Sequence, residues 1–250
     1  MTTALQIGKR VITAEEIIPL LTSYQMLPQL VRESLIDQAI ADIACTEEET
    51  TSACEQFYER RQLTSEAARQ AWLQCHDLTL EQLQALATRD LRIEKFKQAT
   101  WGHKLQSYFL NRKEQLDKVI YSLIRTHDMG IAQELYFRIG EGEQTFSELT
   151  REYAQGPEAQ TDGLVGPVEL GKLHPTLARI LSLSQPGHLW MPIHLGEWFV
   201  VVRLEKWLSA QFDEAMRCRL LNELFENWLQ KQMQQQFVEQ QSHSTSNAFL

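Results

Sequence analysis

Glycine and proline are spread so unevenly along this 250-residue chain that they divide it into three stretches. Nine of the 11 glycines fall between Gly130 and Gly196, and five of the 7 prolines between Pro157 and Pro192. Glycine admits positive φ, proline fixes φ and removes a backbone donor, and each breaks a helix interior. The middle of the sequence is therefore built differently from its two ends. Its most irregular part is EYAQGPEAQTDGLVGPVELGKLHPTLARIL, Glu152 to Leu181, with four glycines and three prolines.

The flanks read as helices. A short hairpin with Gly8 in its turn precedes a capping box at Thr13–Glu16, and two more boxes stand at Thr46–Glu49 and Thr79–Gln82. Pro28 suits the first turn of a helix whose apolar positions include Val31, Leu35, Ala39 and Ile43. A short helix follows Thr64, and a long one runs from Thr79 past Phe109. Near the C-terminus, Phe212, Met216, Leu220, Leu221, Leu224, Phe225 and Trp228 make one apolar face on a helix from Ser209 to about Phe237. A lone amphipathic helix must bury that face, and the N-terminal helices are its expected partner. One domain is thus expected from both ends, with the middle inserted.

The middle alternates. DKVIYSLIRTHD is a buried strand, MGIAQELYFRIGEG a helix closed by Gly140, and Thr145–Glu148 a capping box opening another helix. After the irregular stretch, read as a loop with one further helix, come the strands SQPGHLWMPIHL and GEWFVVVRLEKW. The fold class is α+β: a helical module over residues 1–113, an inserted β-α-α-α-β-β domain over 114–207, a closing helix over 208–238 and a disordered tail over 239–250.

Composition excludes some functions. A net charge of -9 without a basic run speaks against nucleic acid, whose phosphates need clustered Lys and Arg. The N-terminus lacks the apolar core and cleavage site of a signal peptide, so a cytoplasmic location is expected. No apolar run is long enough to span a bilayer. Cys45, Cys54, Cys75 and Cys218 form no paired ligand spacing and read as buried, reduced thiols, and the seven histidines are scattered. No metal and no cofactor is expected.

Phe146-Ser-Glu-Leu149, Tyr153, Gly163, Gly166, Gly171, Leu173, Pro175, Leu177, Pro186-Gly187, Pro192 and Gly196 occur in an order that resembles the parvulin-type peptidyl-prolyl cis-trans isomerases. The helical flanks resemble the chaperone module of SurA- and PrsA-like folding factors, which a parvulin domain interrupts. The resemblance implies an isomerase or folding factor that binds unfolded or proline-containing polypeptides, with a protein-export system as a further partner. It implies a ring pocket at Leu173 and Leu177, with Leu164, His174, Met191 and His194 completing the substrate-contacting set. The family's polar positions fall at Ser122, Gly156 and Trp198, each substituted here, so catalysis is expected to be weak. The alternative is a non-catalytic chaperone or export-accessory protein that keeps the fold.

Overall fold

The two ends of the sequence fold into one helical unit, Met1–Leu105 with Arg217–Leu250, and Gln106–Met216 forms a second unit between them. The computed structural model describes the backbone of residues 3–246 and the side chains of residues 7–236.

The helical unit begins with a hairpin, β1 (Thr3–Ile7) and β2 (Arg10–Thr13), turned at Gly8 with φ 59°. Helices α1 (Ala14–Ser23), α2 (Leu27–Ala39), α3 (Glu47–Arg60), α4 (Glu66–Cys75) and α5 (Leu80–Trp101) follow. Thr46 and Thr79 cap α3 and α5 as the sequence predicts: each hydroxyl accepts from the third backbone N–H at 3.2 Å, and the Glu49 or Gln82 side chain bonds back to the cap N–H at 2.8 Å. The long helix expected from Thr79 is broken by a 3-10 turn at Gly102–Lys104, and α6 (Leu105–Leu116) resumes beyond it.

The middle unit contains β3 (Lys118–Thr126), α7 (Met129–Glu141), α8 (Phe146–Tyr153), β4 (Leu164–Glu169), α9 (Pro175–Ser182), β5 (Leu189–Leu195) and β6 (Trp198–Leu208). The last element is α10 (Glu214–Ser246), where the Asp213 carboxylate accepts from the Met216 N–H at 2.8 Å. α10 runs past the boundary expected at 238, and residues 247–250 lie outside the described residues.

Helix α10 returns to the N-terminal helices. Phe225 and Leu229 bury against Ile36 and Ile40 of α2, with Ile93, Phe96 and Trp101 of α5 packed around them. The rings meet edge to face, Phe96 to Trp101 at 5.6 Å and Phe96 to Phe225 at 6.3 Å. Each large apolar side chain buried here contributes about 1.5–3 kcal/mol. Arg32 of α2 pairs with Glu226 of α10 through two bonds of 2.9 and 2.7 Å. Cys75 and Cys218 are exposed, which corrects the expectation of buried thiols.

The middle unit's sheet is antiparallel throughout, in the order β4-β3-β6-β5. Strand β4 corrects the expectation of a loop in this segment and of a β-α-α-α-β-β order. Gly163, Gly166 and Pro167 disguise it; a proline without an N–H is tolerated on an edge strand because one side of that strand has no neighbour to bond. Helix α7 ends at Gly142, in the left-handed region at φ 73°, and not at Gly140. The unit reaches further along the sequence than 114–207. Phe109 of α6 packs on Phe212 with ring centres 5.2 Å apart, and the Lys113 ammonium bonds both Asp117 and Ser209 at 2.9 and 2.7 Å, so α6 and residues 209–212 hold to each other.

Strand alternation gives the sheet two faces. The front carries Val119, Tyr121 and Leu123 of β3 and Val200, Val202 and Leu204 of β6, covered by Leu170 and by Leu177 and Leu181 of α9. The back carries Ile124 and Val201, covered by Ala132 and Leu135 of α7 and Phe146 and Leu149 of α8.

Candidate functional site

The front of this sheet holds a polar centre inside apolar surroundings. Its base is Glu158, in the 3-10 turn Pro157–Thr161 that follows α8, with a side chain only 1% exposed. Its carboxylate Oε1 accepts from the Arg125 backbone N–H at 3.2 Å and from Arg125 Nε at 3.0 Å. Oε2 lies 2.9 Å from the same Nε, within ion-pair range but off the N–H axis, so that oxygen has no hydrogen bond. A buried carboxylate is costly without a partner, and Arg125 is the partner it has.

The loop is held to the end of β3 by its backbone. Gln155 N–H donates to the Arg125 carbonyl at 3.1 Å, and the Gln155 side-chain oxygen accepts from the His127 N–H at 3.0 Å. This places Gly156 against the ion pair. A Cβ on Gly156 would stand 2.3 Å from Glu158 Oε2 and 2.5 Å from Arg125 Nε. The backbone there is extended, at φ -113°. Glycine is required for space and not for conformation, and the pair fills the place that a larger residue at 156 would take.

Trp198, the first residue of β6, closes the centre. The Arg125 guanidinium carbon lies 5.9 Å from its ring centroid, and the His127 ring stacks on it at 3.8 Å. Tyr121 also faces this side and is 4% exposed. Burial pushes its hydroxyl above the usual phenol range, Glu158 pushes it further up, and Arg125 opposes both.

Toward the other end of the same face lies a cleft of about 370 Å³ lined by Leu170, Leu173, Pro175, Ala178, Gln115 and Arg179. Gly171 lets its backbone approach α6, since a Cβ there would meet Gln115 at 3.1 Å. Leu177 is 6% exposed and belongs to the core, whereas Leu173 is only partly buried and reaches the cleft.

Trp198, Gly156, Leu173 and Leu177 therefore share the front of the sheet. Ser122 does not: it is on the back, where its hydroxyl donates to Glu205 Oε1 at 2.5 Å, and Arg203 Nε bonds the same oxygen at 2.8 Å. The residue that β3 turns to the front beside Leu123 is Tyr121. His194 pairs with Phe199, a back-face residue, at 4.9 Å between rings. Leu164 and Met191 are 51% and 67% exposed, the first paired with Ser122 on the edge strand, the second at the irregularity between Trp190 and Ile193. His174 caps α9, its Nδ1 accepting from the Thr176 N–H at 3.3 Å. Arg125 and Glu158 are absent from the set that sequence reasoning finds. A cation inside the apolar run VIYSLIRT is the signal that could have pointed to them.

Among the described residues no cluster of His, Cys, Asp or Glu has metal-ligand geometry, and no helix is long and apolar enough to cross a membrane.

Residues 127–206 match the model of the rotamase family, the PPIC-type PPIase domain. Among solved structures, the peptidylprolyl isomerase PrsA of Bacillus cereus is 13% identical over 94% of this sequence and 92% of its own, with a TM-score of 0.52. A SurA-like chaperone of Campylobacter jejuni matches 95% of this sequence and 98% of its own at 14% identity and a TM-score of 0.37. The parvulin domain of PpiD from E. coli is 24% identical over 40% of this sequence and 97% of that domain, with a TM-score of 0.35. A search of curated protein sequences finds no match.

Proposed function

We propose, from the premise that residues 127–206 are a PPIC-type peptidyl-prolyl isomerase domain, that this protein is a folding factor that binds extended, proline-containing segments of unfolded polypeptides and turns their X–Pro bonds slowly. The family match carries the reading. The chemistry suits the front of the sheet. Amide resonance sets a barrier of about 18–20 kcal/mol, and the twisted amide at its top has less charge separation than the planar one. An apolar wall such as Leu173 and Trp198 favours that less polar state, while a donor on the rotating carbonyl oxygen would strengthen resonance and oppose it.

Turnover should be slow because the polar centre differs from the family pattern. Gly156 has no side chain, and Glu158 reaches its place already bonded to Arg125. Holding of clients falls more to the helical unit. Phe96, Trp101, Phe225 and Trp228 pack in its core, but Ile17, Ile18, Tyr24 and Met26, on and after α1, are exposed. Adaptable apolar side chains of this kind suit varied segments. A protein-export system as partner belongs to the same reading and rests on the resemblance alone.

The test is cis–trans exchange of a capped Ala–Pro peptide followed by NMR. The free peptide exchanges over about tens to hundreds of seconds. Faster exchange with the full-length protein present supports the isomerase; unchanged exchange together with suppressed aggregation of an unfolded client would make this the non-catalytic chaperone.

A further inference from the structure

We infer that Arg125 is a specificity residue, reading a carboxylate beside the proline of the bound segment. The inference rests on the peptide-binding reading above and adds the charge of the preferred client.

Arg125 spends only part of its donor set inside the protein. Its backbone N–H and Nε go to Glu158, and among the described residues neither Nη group donates a hydrogen bond and no acid other than Glu158 pairs with the guanidinium. The guanidinium is planar, so a bond at Nε fixes its plane and leaves the Nη pair on the far side. The two charges are unequally exposed: the Glu158 side chain is 1% exposed and that of Arg125 is 29%. The pair is neutral as a whole, but it turns its cationic end outward.

The surroundings keep that end selective. Tyr121, Leu123 and Trp198 carry no charge, the His127 imidazole stacks on Trp198, and the Trp198 ring lies 5.9 Å from the guanidinium carbon. A partner on the Nη pair is thus shielded from water on one side, where a charge-assisted hydrogen bond is stronger than at open surface. Glu158 is the positioning residue. It anchors the guanidinium from below, and the bare backbone of Gly156 leaves the space that the two side chains occupy. A forked pair of N–H donors matches a carboxylate, whereas on the rotating carbonyl it would hinder turnover. The geometry therefore favours an Asp or Glu side chain next to the proline, or the terminal carboxylate of a client that ends nearby.

The experiment titrates the full-length protein with peptides capped at both ends, carrying Glu, Ala or Lys before Pro, and with an Ala–Pro peptide whose C-terminus is free. Affinity is read by NMR shifts and turnover by cis–trans exchange. Glu–Pro should bind about tenfold tighter than Lys–Pro at low salt, the size of a charge-assisted hydrogen bond, and the gap should shrink as salt rises. A gain for the uncapped Ala–Pro peptide assigns the site to terminal carboxylates; none assigns it to side chains. The double variant R125Q/E158Q removes both charges together, leaves no lone buried ion, and should bind Glu–Pro and Lys–Pro alike. R125K keeps the charge without the fork and should retain the order with a smaller gap. Equal affinities in the wild-type protein, no binding of any peptide, or a preference that survives the double variant each overturn the inference. Equal affinities with accelerated exchange would leave the isomerase standing, and a clear preference without acceleration would sink the isomerase alone.

Discussion

Gly156 and Gly140 are both glycines of the middle unit, and they should respond oppositely to the same methyl group. At Gly156 an added Cβ meets Glu158 Oε2 at 2.3 Å and Arg125 Nε at 2.5 Å, so Gly156→Ala must displace a buried ion pair. A loss of about 1–3 kcal/mol is expected in urea denaturation. At Gly140, in α7, nothing lies within 4 Å, and Gly140→Ala should gain about 0.5–1 kcal/mol from helix propensity. Tyr121 gives a pH test. Its folded phenol is held neutral above the ordinary value of 10.0. The unfolded polypeptide loses that proton first, so the stability from the neutral hydroxyl is complete below pH 10.0 and is lost as pH rises through the raised value. Absorbance titration should show late-ionising tyrosine that decreases in Tyr121→Phe; Tyr58, also raised by burial, supplies the remainder. These residues are the hardest to read from sequence. Arg125 and Glu158 stand 33 residues apart, and no local pattern joins them. The family pattern points to Ser122, one residue from Tyr121, and a one-residue step in a strand exchanges the two faces of a sheet.

Helices announce themselves through capping and period, and those elements are legible in the sequence. The boxes at Thr46, Thr79 and Thr145 all form, and the orphan apolar face of α10 finds α2 and α5. What stays hidden depends on longer pairing: β4 pairs with β3 despite its glycines and proline, and the helix from Thr79 breaks at Gly102 although its apolar pattern continues. The packing of α10 yields two predictions. Leu229 is fully buried, so Leu229→Ala should cost about 2–5 kcal/mol of the helical unit's stability, read from Trp fluorescence in denaturant. Glu226 is held below its ordinary value of 4.5, first by its hydrogen bond to Arg32. The stability it supplies is present above pH 4.5 and lost as pH falls through the lowered value. The Arg32 and Glu226 side chains are partly exposed, at 33% and 48%, so the effect should stay under about 1 kcal/mol. Glu226→Gln should remove that part of the acid response.

For the whole molecule, a helical unit interrupted by an inserted one invites separation of labour. If the helical unit holds clients and the middle unit works on X–Pro bonds, the protein lacking 106–216, its ends joined by a flexible linker, should keep most of the full-length protein's suppression of client aggregation. A deletion variant that is folded by circular dichroism yet inert, beside an active middle unit, would reverse that division. The six tryptophans provide a direct probe, with Trp72, Trp101 and Trp228 in the helical unit and Trp190, Trp198 and Trp207 in the middle unit. The decisive measurement follows the six indole N–H signals of the full-length protein by NMR while a capped Ala–Pro peptide is added, and reads the peptide's cis–trans exchange in the same sample. The Trp198 indole should shift, and exchange should be faster than in the free peptide. Shifts confined to Trp72, Trp101 and Trp228, with exchange unchanged, would contradict the proposed function.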